Sequence, residues 1–357
     1  MLSSVSTLAL GVLTLCLLSS AAPTTQGRCT EENTMVRKEW SNLSPAERIA
    51  YTDAVTCLQN APSRLNNSLY PGARNRYADF IAAHINYTFI VHLDAIFLPW
   101  HRGYVWLYES ALRTECNYTG TQPYWDWPAY VSQPGGLANS TIFNGAPDSL
   151  GSDGRANDSC VYKGPFSSYI APFPSFPQSI ITDNIANNGS GTIPSWSFDY
   201  SPTCFQRGLN DTALRVNNNA SCIATLLSEP SIGDFQNYLS TPEGDAHFGP
   251  HGGGHVAMGG NGADLFTSPT DPVFFLHHAQ VDRMWTLWQA RDPAARQYAL
   301  NGTQTLENVP PSPELTLDDQ ITFGPLGKNY TTRELMDVAG GPFCYRMLPE
   351  GTPAHPM

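Results

Sequence analysis

Eight of the nine histidines fall in two clusters. His84, His92 and His101 lie in AAHINYTFIVHLDAIFLPWHRGYVWLYE. His247, His251, His255, His277 and His278 lie in HFGPHGGGHVAMGG and DPVFFLHHAQVDRMW. Neutral imidazole is a good ligand for copper, zinc, iron and nickel. Two sets of at least three, from distant parts of one chain, predict two metal ions held between paired helices.

The spacing narrows the choice of metal. A zinc peptidase would carry H-E-x-x-H, with Glu as general base. Here Gly252 follows His251, and no carboxylate stands between His251 and His255. A mononuclear zinc site needs only three protein ligands, which leaves half of these histidines unused. Non-haem iron usually takes two His and a carboxylate on one ion. Three imidazoles on each of two ions suit a pair of copper ions that bind O2 between them.

The elements that must position these residues follow from periodicity. Tyr77, Phe80, Ile81 and His84 recur at i, i+3, i+4, i+7, which predicts a helix from Arg74 with His84 on its buried face. A second helix is expected from Pro99 through Trp100, His101, Tyr104, Val105 and Tyr108, with His92 in the connection. His251 and His255, four apart, share one helix face. Asp271 and Pro272 form an N-cap and first-turn pair, and Val273, Phe274, Leu276, Val281, Met284, Trp285 and Trp288 supply the apolar positions behind them. Asp282 stands one turn after His278, a spacing suited to a ligand and a carboxylate that fixes its tautomer. Ser44 and Pro45 predict an earlier helix start after an extended piece. Residues from Val131 to Gly233, rich in Gly, Ser, Asn and Pro, read as loops and short strands. The tail from Leu315 to Met357 reads as strand-like, wrapping back on the core.

The 357 residues can bury a large core; only 14% are charged, and Gly and Pro number 29 each. A net charge of −12 argues against nucleic acid or an anionic membrane as partner. Residues 1–21 read as a secretory signal, with an apolar stretch over Leu8–Leu18 too short to span a bilayer. Residues 22–357 are then expected to form one secreted copper domain. Triplets N-x-S/T begin at Asn42, Asn66, Asn86, Asn117, Asn139, Asn157, Asn188, Asn210, Asn219, Asn301 and Asn329, which predicts a glycoprotein. Cys16 leaves with the signal, and the expected pairs among the rest are Cys57–Cys116, Cys204–Cys222 and Cys29–Cys344, with Cys160 left over.

The segments FLPWHR and DPVFFLHHAQVD resemble the two copper motifs of the type-3 copper proteins: tyrosinases, catechol oxidases and haemocyanins. The likeness runs from VRKEW near Val36, through YWDW at Tyr124, to FCYR at Phe343, and is nearest to short secreted fungal tyrosinases. The fold it implies is mainly α, a central antiparallel four-helix bundle holding a binuclear copper site, with long loops and a few short strands. It implies His84, His92 and His101 as ligands of the first copper and His251, His255 and His278 as ligands of the second. His277 is expected to pack beside the site, and His247 to stand at its rim.

The activity implied is oxidation of small phenolic substrates by O2, o-diphenols to o-quinones. Many relatives place Asn after the first ligand of the second copper, with a Glu that holds a water. Here that position is Gly252, and Glu243 or His247 is left as the water-holding candidate. Diphenol oxidation with weak monophenol hydroxylation is the expectation. Ile90 stands where relatives carry a Cys that forms a thioether, so no such bridge is expected. Leu265 or Phe266 is expected to lie over the site. The rival readings are a dedicated natural-product phenol or aminophenol oxidase, haemocyanin-like oxygen binding without turnover, and a silent zinc protein.

Overall fold

The computed structural model describes residues 29–189, 192–241 and 247–347. The expected signal, residues 1–21, and Glu243 lie outside the described residues. After strand β1 (Met35–Arg37), helix α1 (Pro45–Asn60) opens where the sequence says it should. Ser44 Oγ accepts from the Glu47 N–H, and the Glu47 carboxylate accepts from the Ser44 N–H, a reciprocal cap. Helix α2 (Arg76–Tyr87) starts on Asn75, whose Oδ1 accepts from the Ala78 N–H at 2.8 Å. Helix α3 (Phe97–Glu115) has its first amides satisfied by Asp94, which accepts from Ile96 and Phe97.

Short helix α4 (Trp127–Val131) leads into the long excursion. Its short strands β2 (Ile170–Ala171) and β3 (Thr203–Cys204) pair antiparallel. It also contains helices that its Asn-rich composition does not suggest: α5 (Ser179–Ala186), α6 (Asp211–Asn217) and α7 (Ala220–Ser228), followed by α8 (Ile232–Ser240). Each of α6, α7 and α8 begins on an Asn or Ser whose side-chain oxygen takes a first-turn amide. What looks like loop composition is therefore partly capping.

The predicted histidine helices are α9 (Gly249–Met258) and α10 (Val273–Ala290). Helix α10 begins one residue later than Pro272 suggests, but Asp271 still accepts from the Val273 N–H at 2.9 Å. Arg207 grips the same carboxylate with two bonds of 2.8 and 2.9 Å, both side chains fully buried. From Val273 to Trp285 every residue of α10 is buried, as expected of a helix at the centre of a bundle. Helices α3 and α9 both pack on it. After α11 (Pro293–Arg296), β4 (Gln320–Ile321) and β5 (Tyr330–Thr331) form a small hairpin-like pair. Strand β6 (Tyr345–Met347) returns to lie parallel to β1, so the tail wraps back as expected.

The disulfides Cys29–Cys344 and Cys57–Cys116 match expectation. The third corrects it: Cys204 pairs with Cys160, not Cys222. Residues 160–161 run antiparallel beside residues 205–206, which brings the two Cα atoms to 5.6 Å. Among the described residues Cys222 is the free cysteine, buried on α7 with its thiol toward the Val216 carbonyl.

Candidate metal centre

Helix α2 carries His84, the 88–96 connection His92, and α3 His101. One ligand nitrogen from each falls within 4.8 Å of the others. Helix α9 carries His251 and His255, and α10 carries His277 and His278; these four form a second such group. The two groups meet where α3 packs on α10: the His101 and His278 rings are 4.4 Å apart and inclined by only 16°.

The hydrogen bonds fix which nitrogen faces inward. Nδ1 of His84 lies 2.9 Å from the Phe266 carbonyl, that of His92 3.0 Å from Thr88, that of His101 2.9 Å from Phe97, and that of His255 2.8 Å from Gly262. A carbonyl only accepts, so each Nδ1 carries the proton and each Nε2 keeps its lone pair. Nε2 of His84 and of His101 is buried with no hydrogen-bond partner among the described residues. Nε2 of His255 sits 3.1 Å from that of His251 and 3.2 Å from that of His278. Tetrahedral ligands on bonds of about 2.0–2.1 Å stand about 3.3 Å apart, so these separations suit a shared ion.

Burial, the largest influence, pushes all six imidazoles toward the neutral form. His92 and His255 are drawn down to about 4, and His84, His101, His251 and His278 fall well below the usual range. Neighbouring imidazoles act in the same direction on all of them but His255. A cluster of uncharged, orphaned nitrogens in an apolar shell is costly as it stands and is satisfied by a soft cation. The donor set fits copper.

His277 differs from the others. Its Nδ1 accepts from the Trp127 indole N–H at 3.0 Å, and indole can only donate. The neutral ring therefore carries its proton on Nε2 and offers no lone pair there. The His277 ring lies 4.5 Å from that of His255 and 5.5 Å from that of His251. Gly254 makes room for it: a Cβ there would stand 2.2 Å from His277 Cε1.

Asp282 is a correction. Its two oxygens are taken by Arg37, Arg102 and Tyr345, and the Arg37 guanidinium also binds Glu109. No imidazole is among these partners, and Nδ1 of His278 is unpartnered. The i, i+4 spacing placed the two residues on one helix, but an Nδ1 contact needs a side chain beside the ring, and Asp282 turns to the arginines. It ties β1, α3 and β6 to α10 instead. Of Leu265 and Phe266, Phe266 does not line the mouth. Its ring is buried against Phe176, 4.3 Å away and inclined by 14°, so its part in the site is the carbonyl offered to His84. His247 packs on Tyr238 and is not among the residues lining the mouth.

A cavity of about 230 Å3 opens onto His92, His251 and His255. Gly252, Leu265, Val256, Phe248 and Gln178 shape it. Phe97 stands between the groups, 4.7 Å from both His101 and His251, and Phe274 stacks on His278 at 4.1 Å. Sequence reasoning did not assign these two phenylalanines to the site. The signal was present, since each stands four residues before a histidine on the same helix. Gln178 and Trp127 come from loop and short-helix segments that carry no such periodic cue.

Residues 74–291 match the family model described as the common central domain of tyrosinase. Tyrosinase P of Aspergillus terreus is 39% identical over 337 residues, 87% of this chain and 91% of that protein. The N-acetyl-6-hydroxytryptophan oxidase of Emericella nidulans is 39% identical over 356 residues, 89% of this chain and 93% of that protein. Among solved structures, a polyphenol oxidase variant from Thermothelomyces thermophila aligns with a TM-score of 0.81 at 36% identity, over 90% of this chain and 91% of that one. With two imidazole groups that fit a binuclear copper site, the chain belongs to the tyrosinase family of type-3 copper oxidases.

Proposed function

We propose that His84, His92 and His101 hold one copper and His251, His255 and His278 the other, and that the chain oxidises o-diphenols to o-quinones. The observation that carries this reading is the meeting of the two imidazole groups through His101 and His278 beneath an open mouth. When bound, the copper pair supplies the redox chemistry that couples diphenol oxidation to reduction of O2.

The chain's own residues do the rest. Carbonyls of Phe266, Thr88, Phe97 and Gly262 hold four imidazoles in the tautomer that keeps Nε2 free. Phe97 and Phe274 keep water from the buried nitrogens. The mouth exceeds the roughly 150 Å3 that accommodates a benzene ring, which favours turnover over oxygen carriage. Gly252 leaves no side chain beside His251 to position a monophenol, which favours diphenols. Export, with the signal removed to leave one domain over 22–357 and glycans on the sequons, completes the reading. No helix among the described residues is long and apolar enough to cross a membrane.

The 39% identity to an oxidase named for N-acetyl-6-hydroxytryptophan favours a second reading, a dedicated natural-product oxidase on the same site. Copper-loaded protein assayed on 4-tert-butylcatechol and on 4-tert-butylphenol tests the first. Faster quinone formation from the catechol is expected. Equal rates would overturn the weight given to Gly252, and no quinone from either would overturn general diphenol oxidation.

A further inference from the structure

Beside the mouth lies a second cavity of about 360 Å3, which shares Leu93, Phe97 and Ser240 with it. Among the described residues no Lys or Arg lines this groove. Gln236, Asn237, Thr241 and Asn308 line it with amides and a hydroxyl, and Leu93, 36% exposed, adds an apolar patch. Polar hydrogen-bonding groups beside an apolar surface suit a sugar, whose hydroxyls and ring faces need both. The wall is also fixed. Leu93, Glu307 and Asn308 are non-glycine residues with φ of 52°, 54° and 57°, and the Glu307 N–H donates to the Leu93 carbonyl. Such backbone persists where its surroundings hold it.

Asn301 borders this groove and opens the sequon Asn301-Gly302-Thr303. It is exposed, and its carboxamide makes no hydrogen bond among the described residues. Asn219 differs: its Nδ2 donates to the Arg215 carbonyl and its Oδ1 caps α7, so a sugar there would displace a bond already made. Asn301 lies over the first turn of α8 at Gly233, where a Cβ would stand 2.8 Å from its Oδ1. The missing side chain at Gly233 clears the path into the groove.

We propose that Asn301 carries an N-linked glycan whose first sugars lie in this groove and border the copper mouth. The proposal rests on the export reading above. The donor is a lipid-diphosphate-linked oligosaccharide. A bond forms between Asn301 Nδ2 and the sugar C1, the bond from C1 to the diphosphate oxygen breaks, Nδ2 gives up one proton, and the lipid diphosphate leaves. No electrons are transferred. A glycan seated there narrows access for phenols with large substituents and leaves small catechols unaffected.

The test uses the full chain secreted from a glycosylating fungal host. Native protein is treated with peptide N-glycosidase in 18O-labelled water, and release is followed at Asn301 and at the exposed sequon Asn157. Asn301 is expected to be occupied and to be released about tenfold more slowly than Asn157, with the difference lost on denaturation. Thr303→Ala is expected to lower KM for a catechol with a large ring substituent about threefold while 4-methylcatechol is unchanged, and Thr303→Ser, which keeps the sequon, to behave as wild type. An empty Asn301 beside an occupied Asn157, or equal release rates, overturns the proposal alone. An absence of glycan at every sequon overturns it together with the export reading.

Discussion

The His101 and His278 rings stack across the α3–α10 contact, 4.4 Å apart and inclined by 16°. They are 177 positions apart in the chain, yet each is backed by a phenylalanine one turn earlier on its own helix, Phe97 and Phe274. The packing of two buried helices therefore sets the separation of the two imidazole groups.

Asp282 tests whether this packing is separable from the metal. Asp282→Asn weakens a buried network of two arginines and a tyrosine, and breaking such pairs costs about 3–5 kcal/mol. The expected outcome is a lower melting temperature with copper per folded chain unchanged. A carboxylate that oriented a ligand would instead cost about 10–100-fold in metal affinity, and titration of the folded variant distinguishes the two.

Gly254→Ala separates His277 from ordinary helix energetics. In an unconstrained helix interior the change stabilises by roughly 0.5–1 kcal/mol. Here the new Cβ would stand 2.2 Å from the His277 ring, which is held by Trp127, so a loss of about 1–3 kcal/mol is expected in chemical denaturation. A stabilised variant would show that His277 moves freely.

Acid should unfold the copper-free protein early. His92 and His255 titrate at about 4 in the fold because burial disfavours their charge, against 6.5 when exposed. Between those values the unfolded chain binds protons that the native chain does not, so stability is complete above 6.5 and falls as pH drops toward 4. Each such histidine contributes up to about 1.4 kcal/mol per pH unit. Melting temperatures of copper-free protein at pH 7, 6 and 5 check the direction. Copper loading should flatten the curve, since protons and metal compete for the same nitrogens.

Gly252→Asn adds a side chain at the mouth, where among the described residues a Cβ meets only Phe248, at 3.0 Å. The rate on a monophenol relative to its diphenol is expected to rise severalfold. An unchanged ratio would mean that position 252 does not set the balance.

The histidine groups and their four helices were legible because ligand spacing and apolar periodicity coincide in the same segments. The partners that fix each ring were not, because Phe266, Thr88 and Gly262 contribute carbonyls, which no side chain advertises. Asp282 was misassigned because i, i+4 spacing gives proximity along a helix and says nothing about Arg37 and Arg102 arriving from elsewhere. Helices α6 and α7 were missed because Asn210 and Asn219, read as loop residues, act as caps. Cys204 was paired with its nearer neighbour in the chain, whereas strand-like pairing beside Cys160 decides the bond.

Metal analysis of the purified protein beside His101→Ala and His278→Ala tests the central claim most directly. The wild type should hold about two copper ions per chain and each variant about one, because each substitution empties a different site. A single ion in the wild type, zinc in place of copper, or two copper ions retained in either variant would contradict the account.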